Sequence, residues 1–240
     1  MVNIDIRKFT TLDSTNTYLK ALAQNGEKEG VVIIADSQTS GRGRKGKSFF
    51  SPQGTGLYMS ILLYPDKKIS DPTYITTATA VALRRAIKEV YNKSTSIKWV
   101  NDIYLEGKKL AGILTEGAFS SDGSFKYIIV GIGVNLTTEA FPDEIKDIAV
   151  SLGEDKKEAL INSILSHFFK IYEDLNSPEI YKEYVDASFI IGKEIEILGE
   201  KMGNGKAIGI DRKFRLEVEL ENKEHIFLSS GDVSIKVKKD

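Results

Sequence analysis

Near Phe189 the hydrophobic period of the chain changes, and the change divides it. Upstream, apolar runs of strand length alternate with segments of helical spacing. Downstream, five short strands read at 193–198, 206–210, 214–220, 225–228 and 233–237, with Gly, Asn and Asp turns between them. Strands this short and this closely spaced predict a small β-barrel. At about 150 residues per domain, the 240 residues admit one or two domains. The expected division is 1–188, mixed α+β, and 189–240, all β.

Within the first part, strands are expected at 3–9, 31–35, 57–64, 97–100 and 127–136. A hairpin, 103–105 with 110–114, turns at Glu106-Gly107-Lys108. In the strand at 97–100, alternation puts Ile97 and Trp99 on one face and Lys98 and Val100 on the other. Asp13-Ser14-Thr15-Asn16 supplies N-cap chemistry for a helix carrying Tyr18, Leu19 and Leu22 and stopped by Gly26. A second helix opens at Asp71-Pro72 and runs to about Tyr91, with Pro where its missing N–H costs least. A third spans 155–175, where Leu160, Ile161, Ile164, Leu165, Phe168 and Tyr172 make one stripe with His167 beside it. A short fourth follows Pro178 and ends near Ala187.

Composition removes whole classes of chemistry. There is no cysteine, and His167 and His225 are the two histidines, so thiolate zinc sites, cysteine nucleophiles and His-pair metal motifs are excluded. What remains is Lys, Arg, Asn, carboxylates and hydroxyls, with a hard oxygen-bound ion such as Mg²⁺. Thirty-three basic residues against 34 acidic leave a net charge of −1, so any nucleic-acid contact has to be local. The N-terminal residues lack the apolar core of a signal peptide, and apolar runs such as 31–35 fall far short of the ~20 residues that cross a bilayer. A soluble, cytoplasmic protein without a membrane partner is expected.

Three segments carry candidate chemistry. Residues 37–57 hold five of the 20 glycines, the cations Arg42, Arg44, Lys45 and Lys47, and no acid. Glycines let backbone approach an anion, and the cations complement phosphate or carboxylate; a solvated flexible loop or a nucleic-acid contact is the competing reading. The spacing is not that of a GxxxxGK[ST] phosphate loop. With these cations unmatched by acids, residues 37–50 are expected to be mobile until a ligand orders them. In the second segment, Lys98-Trp99-Val100-Asn101-Asp102, a lysine among apolar residues needs an acid or an anion. Lys109, on the second arm of the adjoining hairpin, can reach back to the same place. In the third, Val130-Gly131-Ile132-Gly133-Val134-Asn135, small residues in a buried strand mark a close approach.

Taken in order, Ser14-Thr15-Asn16, Gln38, Gly41-Arg42-Gly43-Arg44, Ser51-Pro52 with Gly56-Leu57-Tyr58, Lys98 with Asn101-Asp102, Lys109-Leu110-Ala111-Gly112-Ile113-Leu114 with Glu116, and Gly131-Ile132-Gly133-Val134-Asn135 resemble the biotin–protein ligases over residues ~10–136. The resemblance implies a class II synthetase-like catalytic domain, a mixed and largely antiparallel sheet flanked by helices, followed by an SH3-like barrel. It implies that ATP and biotin form biotinyl-5′-adenylate and pyrophosphate, and that a lysine of a biotin carboxyl carrier protein then attacks the mixed anhydride. It places biotin on Ser14, Thr15, Asn16, Gln38, Arg42, Gly43, Arg44, Lys109 and Gly112. By the same resemblance Arg44 and Lys109 would be the catalytic pair, holding the carboxylate and then the α-phosphate. The resemblance further implies that Lys47, Lys98, Asn101 and Asn135 serve ATP, with Asp102 a candidate near Mg²⁺.

Three positions depart from the family pattern. Phe49 stands where many relatives carry Trp, which implies a looser lid. Lys47 replaces a more usual Arg and gives up bidentate phosphate geometry. Val100 replaces a Pro, which implies a relaxed turn. The signature begins by residue ~10, which implies a short form without the DNA-binding domain that some relatives carry, and hence no DNA partner; a homodimer stays open. The alternatives are a lipoate or octanoate ligase, disfavoured by the GRGR loop and the second domain, and a nucleic-acid-binding protein using the basic loop, disfavoured by the net charge.

Overall fold

Ser14 ends the first strand and starts the first helix. Its backbone is extended, and its hydroxyl accepts the Thr17 N–H, capping α1 (Thr15–Gln24) directly after β1 (Asp5–Leu12). The computed structural model describes residues 2–65, 69, 71–199, 203–229 and 233–237. Beyond α1, the chain forms β2 (Val31–Gln38), β3 (Gly56–Leu63), α2 (Thr73–Tyr91), β4 (Ser96–Lys98), β5 (Asp102–Leu105), β6 (Lys108–Phe119) and β7 (Phe125–Asn135). Two more helices follow, α3 (Lys157–Tyr172) and α4 (Pro178–Ala187). The seven strands make one sheet in the order β1-β2-β3-β7-β6-β5-β4, with β1 and β2 parallel and every other pair antiparallel. A mixed, largely antiparallel sheet flanked by helices is therefore the architecture.

Strand alternation decides what each helix covers. Val31 and Ile33 of β2, Leu62 of β3 and Tyr127 and Ile129 of β7 pack with Leu19 and Ala23 of α1. Their neighbours Val32, Ile34, Ile61, Ile128 and Val130 point the other way, into the larger core with α2 and α3. The β5–β6 hairpin turns on two residues with positive φ, Glu106 (51°) and Gly107 (76°), which matches the twist of the flanking strands.

Residues 194–237 form a second antiparallel sheet, β8 (Glu194–Gly199), β9 (Gly203–Ile210), β10 (Leu216–Leu220), β11 (His225–Leu228) and β12 (Val233–Val237), ordered β11-β10-β9-β8-β12. All five expected strands are present. Among the described residues β11 and β12 lie at opposite edges, so this sheet is open; residues 200–202, 230–232 and 238–240 of the expected second domain lie outside the description. Its inner residues Ile195, Ile197, Ala207, Leu216 and Val218 belong to the same apolar core as α2 and α3. Among the described residues no helix is long and apolar enough to cross a membrane.

One strand is shorter than expected. β4 ends at Lys98, and Trp99 and Val100 are both buried in a turn instead of facing opposite sides. The reason is tertiary: the Trp99 indole N–H donates to the Phe214 carbonyl at 2.9 Å, and the Tyr184 hydroxyl donates to the Val100 carbonyl at 2.9 Å. The turn expected to be relaxed by Val100 is thus tied on both sides.

Candidate active site

On the α1 side of the sheet, three central strands meet in two neighbouring rows, each containing a glycine of β7. Ser60 of β3, Gly131 of β7 and Leu114 of β6 lie side by side, as do Tyr58, Gly133 and Gly112. A Cβ on Gly131 would lie 2.3 Å from Asn16 Oδ1, and one on Gly133 would lie 2.6 Å from the Phe49 ring. The strand backbone is therefore the floor of a cleft, with the first turn of α1 resting on one part and Phe49 on another.

The α1 end is polar and closed. Ser14, Thr15 and Asn16 are buried. The Ser60 hydroxyl donates to Asn16 Oδ1 at 2.6 Å and lies 2.7 Å from Thr15 Oγ1. The backbone N–H and hydroxyl of Thr15 donate to Gln38 Oε1 at 2.9 and 3.2 Å, and Gln38 Nε2 donates to Ser51 Oγ at 2.9 Å. Asn16 Nδ2 donates to Glu116 at 2.8 Å, and the same carboxylate pairs with Arg42 at 3.0 Å. A connected network of this kind holds hydrogen-bonding groups in fixed directions.

The opposite end is cationic. Lys109 Nζ lies 2.8 Å from Asp102 Oδ1, and Arg44 Nη1 donates to Asn101 Oδ1 at 3.1 Å. Asn101 Nδ2 is held by Asp102 Oδ1 (3.1 Å) and the Ile113 carbonyl (2.9 Å). Burial lowers the pKa of Lys98, opposed by Asp102 and reinforced by the positive charges of Lys109 and Lys47. Burial also lowers that of Arg44, opposed by Asp102. Asp102 is the single carboxylate lining the cleft among the described residues, against Arg44, Lys47, Lys98 and Lys109. Crowded cations of this kind, with Lys98 and Arg44 partly desolvated, are suited to bind an anion.

The cleft has a volume of about 180 Å³ and opens to solvent. Ser14, Thr15, Asn16, Gln38, Arg42, Gly43, Arg44, Lys47, Lys98, Asn101, Asp102, Lys109 and Gly112 all line it. Asn135 does not: its Nδ2 donates to the Val150 carbonyl at 3.0 Å, tying the strand end to the following loop. Asp102, the candidate near Mg²⁺, is engaged by Lys109 and Asn101, and the described residues contain no group of three metal-ligating side chains. The Gly-rich loop is not without internal partners, because Arg42 meets Glu116, Arg44 meets Asn101, and the Gly43 N–H donates to the Lys47 carbonyl. Phe49, expected to be a looser lid, packs on the floor against Gly133 and Gly112 and edge-on to Tyr58. Both histidines bind elsewhere, His167 to Glu89 and His225 to Glu217. Sequence reasoning missed Ser60 and Ile235 and gave Glu116 no role. For Ser60 a signal was present, a hydroxyl within an otherwise apolar strand.

The model of the biotin/lipoate A/B protein ligase family matches residues 8–135, more than half of the chain. The chain belongs to that family. A Bacillus subtilis relative, the bifunctional ligase/repressor BirA, is 36% identical over 211 residues, 83% of this chain and 65% of that protein. The chain thus spans about two thirds of its length. A Mycobacterium tuberculosis relative named biotin–[acetyl-CoA-carboxylase] ligase is 28% identical, over 92% of this chain and 85% of its own. The solved biotin protein ligase of Aquifex aeolicus in complex with biotin and ATP superposes with a TM-score of 0.81 at 30% identity, over 98% of this chain and 99% of that one.

Proposed function

We propose that this chain is a biotin–protein ligase. The observation that carries the reading is a single cleft with a buried polar network at one end and crowded, acid-poor cationic charge at the other. Biotin has matching ends, a ureido head that donates and accepts hydrogen bonds and a carboxylate. The head lies against Thr15, Asn16, Ser60 and Gln38. The carboxylate lies between Arg44 and Lys109, where it attacks the α-phosphorus of ATP; the acyl–phosphate bond forms and pyrophosphate leaves. Lys47, Lys98 and Asn101 hold the nucleotide. Alignment and charge neutralisation carry the rate, with no histidine base. A carrier-protein lysine then attacks the acyl carbon and AMP departs.

Mg²⁺ bound to the ATP phosphates would offset charge on the leaving pyrophosphate. Asp102 is the side chain that would meet it, and with Oδ1 taken by Lys109 and Asn101 it supplies no cage of its own. A lipoate head has no ureido group to satisfy the polar network, which favours biotin over the lipoate alternative. We also read 1–188 as the catalytic domain and 189–240 as an SH3-like domain. Incubation with ATP and biotin, without any carrier, is expected to leave biotinyl-adenylate bound, seen by mass spectrometry of the released ligand. Recovery of free biotin only, with no pyrophosphate, contradicts the proposal.

A further inference from the structure

Phe214, at the tip of the turn between β9 and β10, has φ +57°, a conformation bulky side chains rarely adopt. Asp211 fixes the turn: its Oδ1 accepts the backbone N–H groups of Lys213 (2.9 Å) and Arg215 (2.8 Å), and its Oδ2 pairs with the Arg215 guanidinium. Unusual backbone of this kind persists where the surroundings over-determine it. The buried Phe214 ring meets Tyr74 of α2 and Tyr181 and Tyr184 of α4, at 5.5, 5.8 and 5.3 Å between centroids. This places the Phe214 carbonyl 2.9 Å from the Trp99 indole nitrogen. Next along the chain, the Val100 carbonyl accepts the hydroxyl of fully buried Tyr184 at 2.9 Å. Two buried donors thus fix the turn that delivers Asn101, and Asn101 Oδ1 accepts Arg44 at 3.1 Å.

We propose that Phe214, Trp99 and Tyr184 form a strut through which the second sheet positions Asn101, and through it Arg44, at the anion-binding end of the cleft. None of the three is given a catalytic role; Trp99 also lines the cleft, so Tyr184→Phe, fully buried and outside the lining, is the cleaner test of action through Asn101. Among the described residues the second sheet adds one side chain to the cleft lining, Ile235, so its hold on the cationic end runs through this turn. The inference rests on the ligase reading above, which gives Asn101 to the nucleotide.

Trp99→Phe and Tyr184→Phe each remove one donor and keep an aromatic ring. Tyr91→Phe is the control: its buried hydroxyl accepts the Lys156 N–H at 3.1 Å, away from the strut. For each full-length variant, biotin-dependent pyrophosphate release is measured against ATP concentration, biotin binding without ATP by calorimetry, and the fold by thermal melting. Both strut variants are expected to raise the KM for ATP about two- to tenfold, the worth of one buried hydrogen bond. ATP-free biotin affinity should fall as well, because Arg44 rests on Asn101, but by less than in Arg44→Ala, and Tyr91→Phe should leave both quantities unchanged even where it melts as early. In the double variant the two effects should fall short of multiplying, since both loosen one turn. Folded strut variants with the wild-type KM for ATP overturn the proposal, as does a rise shared by Tyr91→Phe or a fall in biotin affinity as large as that of Arg44→Ala. If the wild-type chain releases no pyrophosphate, the ligase reading fails and the strut's role falls with it; an active wild type with unaffected strut variants defeats the strut alone.

Discussion

Asn16 can lie flat on β7 only because residue 131 carries no side chain. A methyl there would sit 2.3 Å from Asn16 Oδ1, on a strand bonded along both edges that cannot retreat. Gly131→Ala is therefore expected to push Asn16 off Ser60 and Glu116 and to weaken ATP-free biotin binding by about tenfold or more, the cost of a misplaced buried hydrogen-bonding group. Isothermal titration checks it; unchanged affinity would mean that Asn16 does not meet the ligand. The cations divide in a similar way. Lys109 is paired with Asp102, so Lys109→Ala removes a positive charge and also leaves a carboxylate facing the ligand's own. A charge-assisted contact is worth ~1.5–3 kcal/mol, about 10- to 150-fold, and ATP-free biotin affinity is expected to fall by that order in Lys109→Ala and Arg44→Ala. Lys47 is exposed, and if it serves the nucleotide as proposed, Lys47→Ala should raise the KM for ATP and leave that affinity nearly unchanged. Equal losses in Lys47→Ala and Lys109→Ala would reverse the assignment of the two ends. Most of these residues were legible in the sequence because anion chemistry demands their types. The partner of Arg42 was not, since Glu116 lies 74 positions away and only the sheet register brings them together.

The Gly-rich loop joins β2 to β3 across the mouth of the cleft, and its side chains reach over the cleft in the Arg42–Glu116 pair, Arg44 on Asn101 and Phe49 on the floor. A half-exposed ion pair contributes at most about 1 kcal/mol, so opening remains cheap when no ligand is bound. Backbone amides at 41–48 are expected to exchange hydrogen measurably more slowly with biotin and ATP together than without them. Glu116→Gln should speed exchange in the ligand-free protein while preserving the Asn16 contact through its carbonyl oxygen. Exchange that is identical with and without ligands would show that the loop does not close on them. Elements with strong local signals were readable in advance: the Ser14 cap, the Glu106-Gly107 turn, the Pro178 start of α4 and the five strands of the second sheet. The end of β4 was not readable, because two hydrogen bonds from 84 and 115 residues away decide it. The open second sheet likewise reflects long-range pairing, on which strand spacing alone is silent.

At the scale of the whole molecule, one sheet supports both ends of the cleft and a shared apolar core ties the second sheet to the first. The strand order β1-β2-β3-β7-β6-β5-β4 brings Ser60, Gly131 and Gly112 into one floor from segments up to 71 residues apart along the chain. That order leaves no periodic trace in the sequence; the motif order, read as a family resemblance, supplied what periodicity lacked. The central claim is that the polar end reads a ureido head while the cationic end activates the attached carboxylate. Pyrophosphate release from ATP, with biotin and lipoate tested side by side at equal concentration, tests both halves in one assay. The account predicts biotin-dependent release, with lipoate weaker by at least about 100-fold, because a buried hydrogen-bonding site left unmatched discriminates strongly. Release with lipoate equal to or faster than release with biotin would contradict it.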